Sequence, residues 1–574
     1  MLISHFANII VNFRYTRLTY VLKNIPNEAN FSDKNLHNMK LQSTSSGEGR
    51  NFPNFEARVN ANNAISKAIR NPLILDAVFA NLDLPDLKTS RLVCYDWADV
   101  ASTLLGKCAY LHVNKLFSYK PSKFDEVPPV SDKLMRRLLI SDKFDRSIRS
   151  KKKKSEVITK AITELPKLFE LIREIKLVTP KKEFVFVFLR GMISLGTTKV
   201  QRVDILSAWK GDKVYTIPAY GKLSPQPNLT SLRFHVVCEF RFIGITGYEE
   251  FQPVIQIWTD SAPNLTTLDI AAPLYPNLEG CKSLKVLKLR CLTRFMHCPP
   301  SLSLGKLTDM LGQVKDSLIE LELYVRASTL EMEPVKGGPV MSKLTTLSIH
   351  ATNSYRILNF FGEDHFPKLK TLRVHSCYGD LSFFSFLNLW RRHRGVKSLS
   401  LTLDFIESGE EFGGQVVNLF PAVKEFRLNM NMKNVQLNSN LTINRIFEPF
   451  QTLDLERVNI LVDGLNQSTV VINVLKAMSA LKGIKSVRFL NTNIVESEFS
   501  PRIHGLILLS RGFKRVEISG HEDPEILERM RPIFEASGAP INFTGGVFIG
   551  YFGITESKRG RVLWEIPFVR PANR

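Results

Sequence analysis

One spacing of apolar residues recurs along most of the chain: an apolar position, two variable positions, an apolar position, one variable position and a third apolar position. The copy Leu369-Leu372-Val374 shows it clearly, and Met135-Leu138-Ile140 resembles a degenerate first copy. Because the last two apolar residues alternate with a variable one, the pattern predicts a short strand with one apolar and one variable face. The first apolar residues of the clear copies are Ile172, Val200, Leu229, Leu265, Leu284, Leu318, Leu344, Leu369, Val396, Val423, Phe450, Ile484 and Phe513.

These copies repeat at a nearly fixed distance. Leu344 and Leu369 are 25 residues apart, and the next three intervals, through Val396, Val423 and Phe450, are 27 residues each. This period, with this spacing, is the signature of leucine-rich repeats, whose units bury their apolar faces only by stacking on neighbours. We therefore expect an α/β fold in which a leucine-rich-repeat solenoid forms a horseshoe, with a parallel sheet on its concave side and helices or loops on its convex side.

A helical pattern precedes the repeats. Asn71-Pro72 is typical of a helix start, since Asn caps well and Pro at the first helical position loses no hydrogen bond. The residues that follow share one helical face, and they are Leu75, Val78, Phe79 and Leu82. Asp83-Leu84-Pro85 then begins a short second helix. A third helix is predicted from the same spacing in Trp97, Val100, Ala101 and Leu104.

This segment resembles the F-box family, whose pattern runs from a Pro near a helix start to a Val-Cys-x-x-Trp end. The chain departs from the pattern at Asn71 and Ile74. The resemblance implies a small three-helix module that docks on a Skp-type adaptor and, through it, on a cullin. The matching positions are Pro72, Leu75, Phe79, Leu82, Leu87, Arg91, Val93, Cys94 and Trp97.

If the resemblance holds, the adaptor surface is expected at Pro72, Leu73, Leu75 and Phe79. The alternative is that Leu75, Phe79 and Trp97 form the module's own core. For Trp97 we favour packing, because a large aromatic side chain within a small helical unit contributes mainly by burial.

The predicted organisation has five parts along the chain. Residues 1–63 form a disordered leader and linker, and 64–113 form the F-box helical module. Residues 114–165 are a basic linker with the degenerate copy, 166–520 are the repeat solenoid, and 521–574 are a C-terminal cap or tail.

Composition fits a folded protein outside membranes. Hydrophobic residues make up 44% and charged residues 23% of the chain, which is ordinary globular usage. No apolar run is long enough to cross a bilayer. Seven scattered cysteines without a Cys-x-x-Cys motif suit a reducing compartment, so we expect the cytoplasm, the nucleus or both.

A net charge of +22 raises the alternative of a nucleic-acid-binding protein. Its best segment, Arg146 to Lys160 with the run Lys151–Lys154, has no interleaved aromatic residues and fits a solvated linker or import signal better than a groove binder. The variable strand positions mix both signs, which favours protein recognition over phosphate tracking. These positions include Arg233, Lys288, Arg373, Arg427 and Arg488 against Asp269, Glu322, Asp454 and Glu517.

No catalytic or cofactor motif occurs in the sequence, neither a phosphate-binding glycine loop nor a zinc-binding helix nor a nucleophile elbow. We therefore expect a non-catalytic receptor without a cofactor, which recruits a protein substrate to a ubiquitin ligase. A second interpretation keeps the repeats as a scaffold or inhibitor without ligase function. Because variable positions point away from the core, the substrate is expected to contact Tyr324, Arg373, His375, Arg427 and Asn429.

Overall fold

The structure is a computed structural model that describes residues 70–113, 117–120, 123–126, 131–141, 170–179, 182–209, 221–238, 247–291, 303–325, 337–350, 361–375, 386–404, 412–431, 447–463, 468–481, 484–492, 502–520 and 524–545. They form two compact units, one within Met1–Phe144 and Leu165–Lys176 and one from Leu177 onwards. The predicted leader, the run Lys151–Lys154 and the residues after 545 lie outside this description.

Three helices open the first unit: α1 (Pro72–Phe79), α2 (Leu84–Ser90) and α3 (Tyr95–Cys108). The Asn71 side chain accepts a 3.0 Å hydrogen bond from the backbone N–H of Leu73, and Asp83 caps α2 in the same way through Asp86. Both caps satisfy backbone donors that a helix start leaves without partners. The helices share one core, formed by Leu75, Phe79, Leu87, Val100, Ala101, Leu104 and Leu105.

Five short strands follow the three helices, and the boundary between the two units falls within the fifth. Two of them, β2 and β3, form an antiparallel hairpin, whereas β1 and β4 pair in parallel. The predicted degenerate copy is a strand, because Leu138 and Ile140 are buried in β4. The strands are β1 (Leu111–His112), β2 (Phe117–Lys120), β3 (Lys123–Glu126), β4 (Arg137–Ser141) and β5 (Glu174–Thr179).

The second unit is an open, all-parallel sheet in which strands β6 to β18 follow one another in chain order. Within the second unit the pairing is parallel throughout, an arrangement compatible with a solenoid. The strands are β6 (Arg202–Trp209), β7 (Ser231–Cys238), β8 (Thr267–Ala271), β9 (Val286–Cys291), β10 (Glu320–Val325), β11 (Thr346–His350), β12 (Thr371–His375), β13 (Ser398–Asp404), β14 (Glu425–Asn431), β15 (Arg457–Asp463), β16 (Ile484–Thr492), β17 (Arg515–Gly520) and β18 (Ile541–Gly545).

Helices connect several of these strands. They are α4 (Lys182–Leu195), α5 (Gln252–Ser261), α6 (Leu304–Val314), α7 (Phe412–Leu419), α8 (Ser468–Ser479), α9 (Ile503–Ser510) and α10 (Pro524–Ser537). None of the helices in the described parts of the chain combines the length and apolar character needed to cross a bilayer. Helix α10 and strand β18, which pairs with β17, lie past residue 520 in the segment predicted to be a C-terminal cap or tail.

The alternating pattern explains the core. Leu347, Leu372 and Leu399 face one another in register on β11, β12 and β13, and each is at most 1% exposed. Connecting segments pack on the same core, as where the ring of Phe426 on β14 stacks on Phe450 with centroids 4.6 Å apart. Each strand therefore contributes a row of apolar residues to a continuous interior.

One predicted strand is misplaced. The copy that begins at Phe450 predicted a strand through Leu453 and Leu455, but Phe450 lies in a 3₁₀ helix, Glu448–Thr452. The strand at this place is β15, in which Val458 pairs with Phe426 of β14. Leu453 and Leu455 are still buried, 6% and 4% exposed, so they satisfy the apolar spacing without forming a ladder.

Candidate functional site

The variable face of the sheet, the side that carries the residues between the buried positions, arranges side chains in rows. Residue pairing sets the central row, because each residue lies beside its partner on the next strand, about 4.8 Å away. From β10 to β15 this row runs through Glu322, Ser348, Arg373, Ser400, Arg427 and Asn459. A second row, two residues further along each strand, brings His375, Thr402 and Asn429 together.

A pocket of about 420 Å³, the central pocket, opens on this face. All five residues predicted to contact a substrate line it: Tyr324, Arg373, His375, Arg427 and Asn429. The structure thus brings the predicted residues together, while their binding role stays a prediction. The other lining residues are Glu322, Ser348, Thr371, Ser398, Ser400, Glu425, Phe426, Arg457 and Asn459.

Polar contacts join the second row. The Asn429 side-chain amide donates to the Thr402 hydroxyl at 3.3 Å, and this hydroxyl lies 3.3 Å from His375 Nδ1. The Tyr324 ring packs beside the imidazole, with centroids 5.0 Å apart. His375 Nε2 and Asn429 Oδ1 are buried without a hydrogen-bond partner among the described residues. The pocket therefore presents polar atoms that are shielded from water and not satisfied by the chain.

Burial and charge keep the two rings of the pocket neutral. Burial lowers the pKa of His375, and although Glu322 opposes this change, Arg373 and Arg427 add to it. Burial also raises the pKa of the Tyr324 phenol, as does the carboxylate of Glu322. Near pH 7 the imidazole is therefore neutral, and the positive charge of the pocket comes from its arginines.

On the N-terminal side of the pocket, charges on the variable face occur in pairs. Asp269, only 4% exposed, lies 3.1 Å from the Arg233 guanidinium and 3.0 Å from His235 Nε2. Burial alone would raise the pKa of Asp269, but the hydrogen bond from His235 and the charges of His235, Arg290 and Arg233 lower it to about 2. This carboxylate is therefore ionised and engaged by its neighbours.

The same arrangement continues to the edge of the central pocket. Glu322 lies 2.7 Å from Arg290 Nε and 3.1 Å from Lys288 Nζ. By contrast, Arg373 and Arg427 form no ion pair within the described residues, since their row neighbours are Ser348, Ser400 and Asn459.

The predicted adaptor residues divide by exposure. Pro72 is exposed and Leu73 is 81% exposed, whereas Leu75 and Phe79 are 3% and 1% exposed within the core of the first unit. Because buried side chains offer a partner almost no surface, direct contact by Leu75 and Phe79 is corrected to a packing role. Trp97 also packs, edge-on to Phe79 with centroids 5.0 Å apart, as the sequence favoured.

Exposed apolar side chains are concentrated in the sequence of the same three-helix segment, and they are called the exposed apolar cluster. Five of the nine large hydrophobic side chains that are exposed in the described residues fall between positions 73 and 95. They are Leu73 (81%), Ile74 (41%), Leu92 (85%), Val93 (58%) and Tyr95 (84%). Such a concentration is typical of a surface that a partner covers.

No protein-family model matches this sequence, and no curated protein matches it either. Any assignment of function therefore depends on the residues of the two sites. Within the described residues, no group of three or more His, Cys, Asp or Glu side chains could hold a metal ion.

Sequence reasoning missed several members of both sites. Ser348, Ser400 and Asn459 line the pocket, but small polar residues at variable positions give no signal until the strand pairing is known. Asp454 was predicted to belong to this row, but it precedes β15. The residue of β15 that pairs with Arg427 is Asn459. Leu92, which the sequence did not mark as part of the adaptor surface, follows α2 and is exposed.

Proposed function

We propose that this chain is a non-catalytic substrate-recognition subunit of a cullin-type ubiquitin ligase. An F-box module at its N-terminal helices would bind a Skp-type adaptor, and a leucine-rich-repeat solenoid would bind the protein substrate. The exposed apolar cluster carries the proposal, because it lies in the segment whose sequence resembles the F-box. The chain would act in the cytoplasm or nucleus.

Two stretches supply the adaptor surface in this proposal. Leu73 and Ile74 lie in the first turn of α1, and the other members lie between α2 and the start of α3. Leu75 and Phe79 point into the core instead, so they hold α1 in place while their neighbours face outward. Burying one exposed leucine against a partner contributes about 1.5 to 3 kcal/mol, so several such contacts together are needed to offset the cost of association.

The variable face is the proposed substrate surface, and the central pocket is the proposed site on it. Arginine and tyrosine are among the residue types that most often dominate binding energy at protein interfaces. The pocket holds both types, in Arg373, Arg427 and Tyr324, next to polar groups that select an orientation. The sheet backbone is occupied by ladder hydrogen bonds, so recognition would come from side chains.

The adaptor contact can be tested on the full chain. We expect the wild-type protein to co-purify with a co-expressed Skp-type adaptor and cullin. Replacing Pro72 and Leu73 together with Ala should weaken adaptor binding about tenfold or more, because exposed apolar contacts are lost without disturbing the core. Leu92→Ala should act in the same direction, and binding can be measured by surface plasmon resonance.

Leu508→Ala is the matched control, since Leu508 is also an exposed leucine, at 60%, but lies on α9 in the second unit. It should leave adaptor binding unchanged. No binding by the folded wild-type chain would reject the ligase proposal and favour a scaffold without ligase function. Equal binding by a folded Pro72/Leu73 variant would reject only the assignment of those residues.

A further inference from the structure

The unpaired arginines of the central pocket interrupt a face on which other cations are engaged. Before the pocket, Asp269 and Glu322 engage Arg233, Lys288 and Arg290. After it, Glu517 binds both Arg488 and Arg515. Between these two groups, Arg373 and Arg427 have no ion pair among the described residues, so these two cations give the pocket a positive surplus.

The carboxylates in the pocket lining do not cancel this surplus. Glu322 is already bound by cations from β9, Lys288 and Arg290. Glu425 lies 3.1 Å from Arg457, the third arginine of the lining. Two guanidinium charges therefore remain for a ligand.

Strand pairing sets the distance between these two charges. Arg373 and Arg427 both pair with Ser400, from opposite sides, so their backbones are about 9.6 Å apart, twice the strand spacing. Both side chains are long enough to meet at a group held over Ser400. The Ser400 hydroxyl makes no hydrogen bond within the described residues and is available to the same ligand.

The second row adds two polar atoms that the chain does not satisfy. The Thr402 hydroxyl accepts from Asn429 and lies 3.3 Å from His375 Nδ1. His375 Nε2 and the acceptor Asn429 Oδ1 are both buried without a hydrogen-bond partner among the described residues. Buried polar atoms in this state destabilise the protein until a ligand or water satisfies them.

We propose that the central pocket binds a phosphomonoester, with its phosphate between Arg373 and Arg427. A phosphomonoester carries about −1.5 to −2 charges at pH 7 and three acceptor oxygens, so it can neutralise both arginines and also accept from Ser400. A carboxylate carries one charge and leaves one arginine unneutralised. The unsatisfied atoms of His375 and Asn429 suit a peptide group beside the phosphate, as in a phosphorylated side chain.

This inference extends the proposed role of the variable face in substrate binding. It does not depend on the adaptor surface, so either proposal can fail while the other holds. Adaptor binding by each pocket variant distinguishes the two failures, because a folded variant should retain it.

Isothermal titration calorimetry on the full chain can test the site. The probe is a blocked alanine pentapeptide with phosphoserine at its centre, compared with the same peptide carrying serine or glutamate. We expect the phosphopeptide to bind at least tenfold more tightly than either. Inorganic phosphate, titrated separately, distinguishes a phosphorylated side chain from a free phosphate group.

The variant Arg373→Gln/Arg427→Gln should reduce phosphopeptide affinity about 100-fold, since two charge-assisted contacts are lost. Arg391→Gln/Arg392→Gln is the matched control: these arginines are also exposed in the second unit but lie outside the pocket, and the net charge falls equally. The Arg373→Lys/Arg427→Lys variant should show a smaller loss, because it keeps the charges without the planar fork.

The site is supported if Arg373→Gln/Arg427→Gln loses much more phosphopeptide affinity than Arg391→Gln/Arg392→Gln while both variants keep the same thermal stability. Equal losses would mean that only net charge matters and would overturn it, as would equal affinity for the phosphoserine and glutamate peptides. If inorganic phosphate binds as tightly as the phosphopeptide, phosphate recognition stands and the source is a free phosphate group.

Discussion

Leu372 and Arg373 are adjacent in the chain but lie on opposite faces of β12, so they provide a direct test of the fold. Leu372 is fully buried and faces Leu347 and Leu399 in register on the flanking strands. Arg373 is exposed and has no ion pair among the described residues. We expect Leu372→Ala to be strongly destabilising and Arg373→Ala to be nearly neutral.

The magnitude follows from the packing around Leu372. Truncating a buried leucine costs about 2 to 5 kcal/mol, and the cost is largest where neighbours are unable to fill the cavity. Leu347 and Leu399 are fixed by the strand ladders on both sides, so we expect about 3 kcal/mol or more. An exposed substitution such as Arg373→Ala should stay within about 0.5 kcal/mol.

Hydrogen exchange is the suitable assay, because a repeat array opens locally and a single global midpoint averages over many units. A loss of about 3 kcal/mol should accelerate exchange of amides in β12 and β13 roughly 100-fold. Amides of α3 in the first unit provide an internal reference. Equal acceleration by both variants would show that the two faces of β12 are assigned incorrectly.

Two further predictions concern backbone approach and pH. A Cβ at Gly106 would overlap the carbonyl oxygen of Lys133, so Gly106→Ala should lower the thermal midpoint of the first unit by several degrees. A Cβ at Gly312 would meet no atom within 4 Å, so Gly312→Ala is the control and should leave the thermal midpoint unchanged. Burial lowers the pKa of His393 below its ordinary 6.5, and Nδ1 already accepts a hydrogen bond from the Gly395 N–H. As the pH falls, His393 therefore becomes protonated at a higher pH in the unfolded chain than in the folded one, so the free energy of unfolding should decrease below about pH 6.5. His393→Gln should reduce this pH dependence, which urea titrations at about pH 7 and 5.5 can measure. An unchanged pH dependence in this variant would contradict the assigned protonation state.

The repeat pattern predicted most strands of the second unit, because two alternating buried residues specify a strand and its faces together. The copy at Phe450 failed for a physical reason. Phe450, Leu453 and Leu455 have the required spacing, yet Val458, Ile460 and Val462 immediately follow with their own alternation. Local spacing fits both segments, and only pairing with Phe426 on the neighbouring strand decides between them.

The candidate sites were predicted less completely than the fold. Tyr324, Arg373 and Arg427 have conspicuous side chains at variable positions, so periodicity located them. The contribution of Ser400 depends on its position between two arginines that are distant in sequence, which strand pairing alone reveals. In the first unit, helical spacing identified Leu75 and Phe79. The apolar face of an amphipathic helix indicates which residues pack in the core, but it does not indicate which residues contact a partner.

The placement of Asn459 also changes how the net charge of the chain should be interpreted. With Asp454 in the row, as the sequence suggested, Arg427 would have a carboxylate on the neighbouring strand. With Asn459 there instead, Arg427 has no carboxylate beside it. Ion-paired cations such as Arg290 and Arg488 lie on the strands before and after the pocket. The two unpaired arginines lie between them, about two strand spacings apart. A protein that follows a nucleic-acid backbone requires unpaired cations along an extended path, since each contacted phosphate needs its own. Arg373 and Arg427 are two unpaired charges in one place, so the described part of this face fits a group with one or two negative charges better than an extended polyanion.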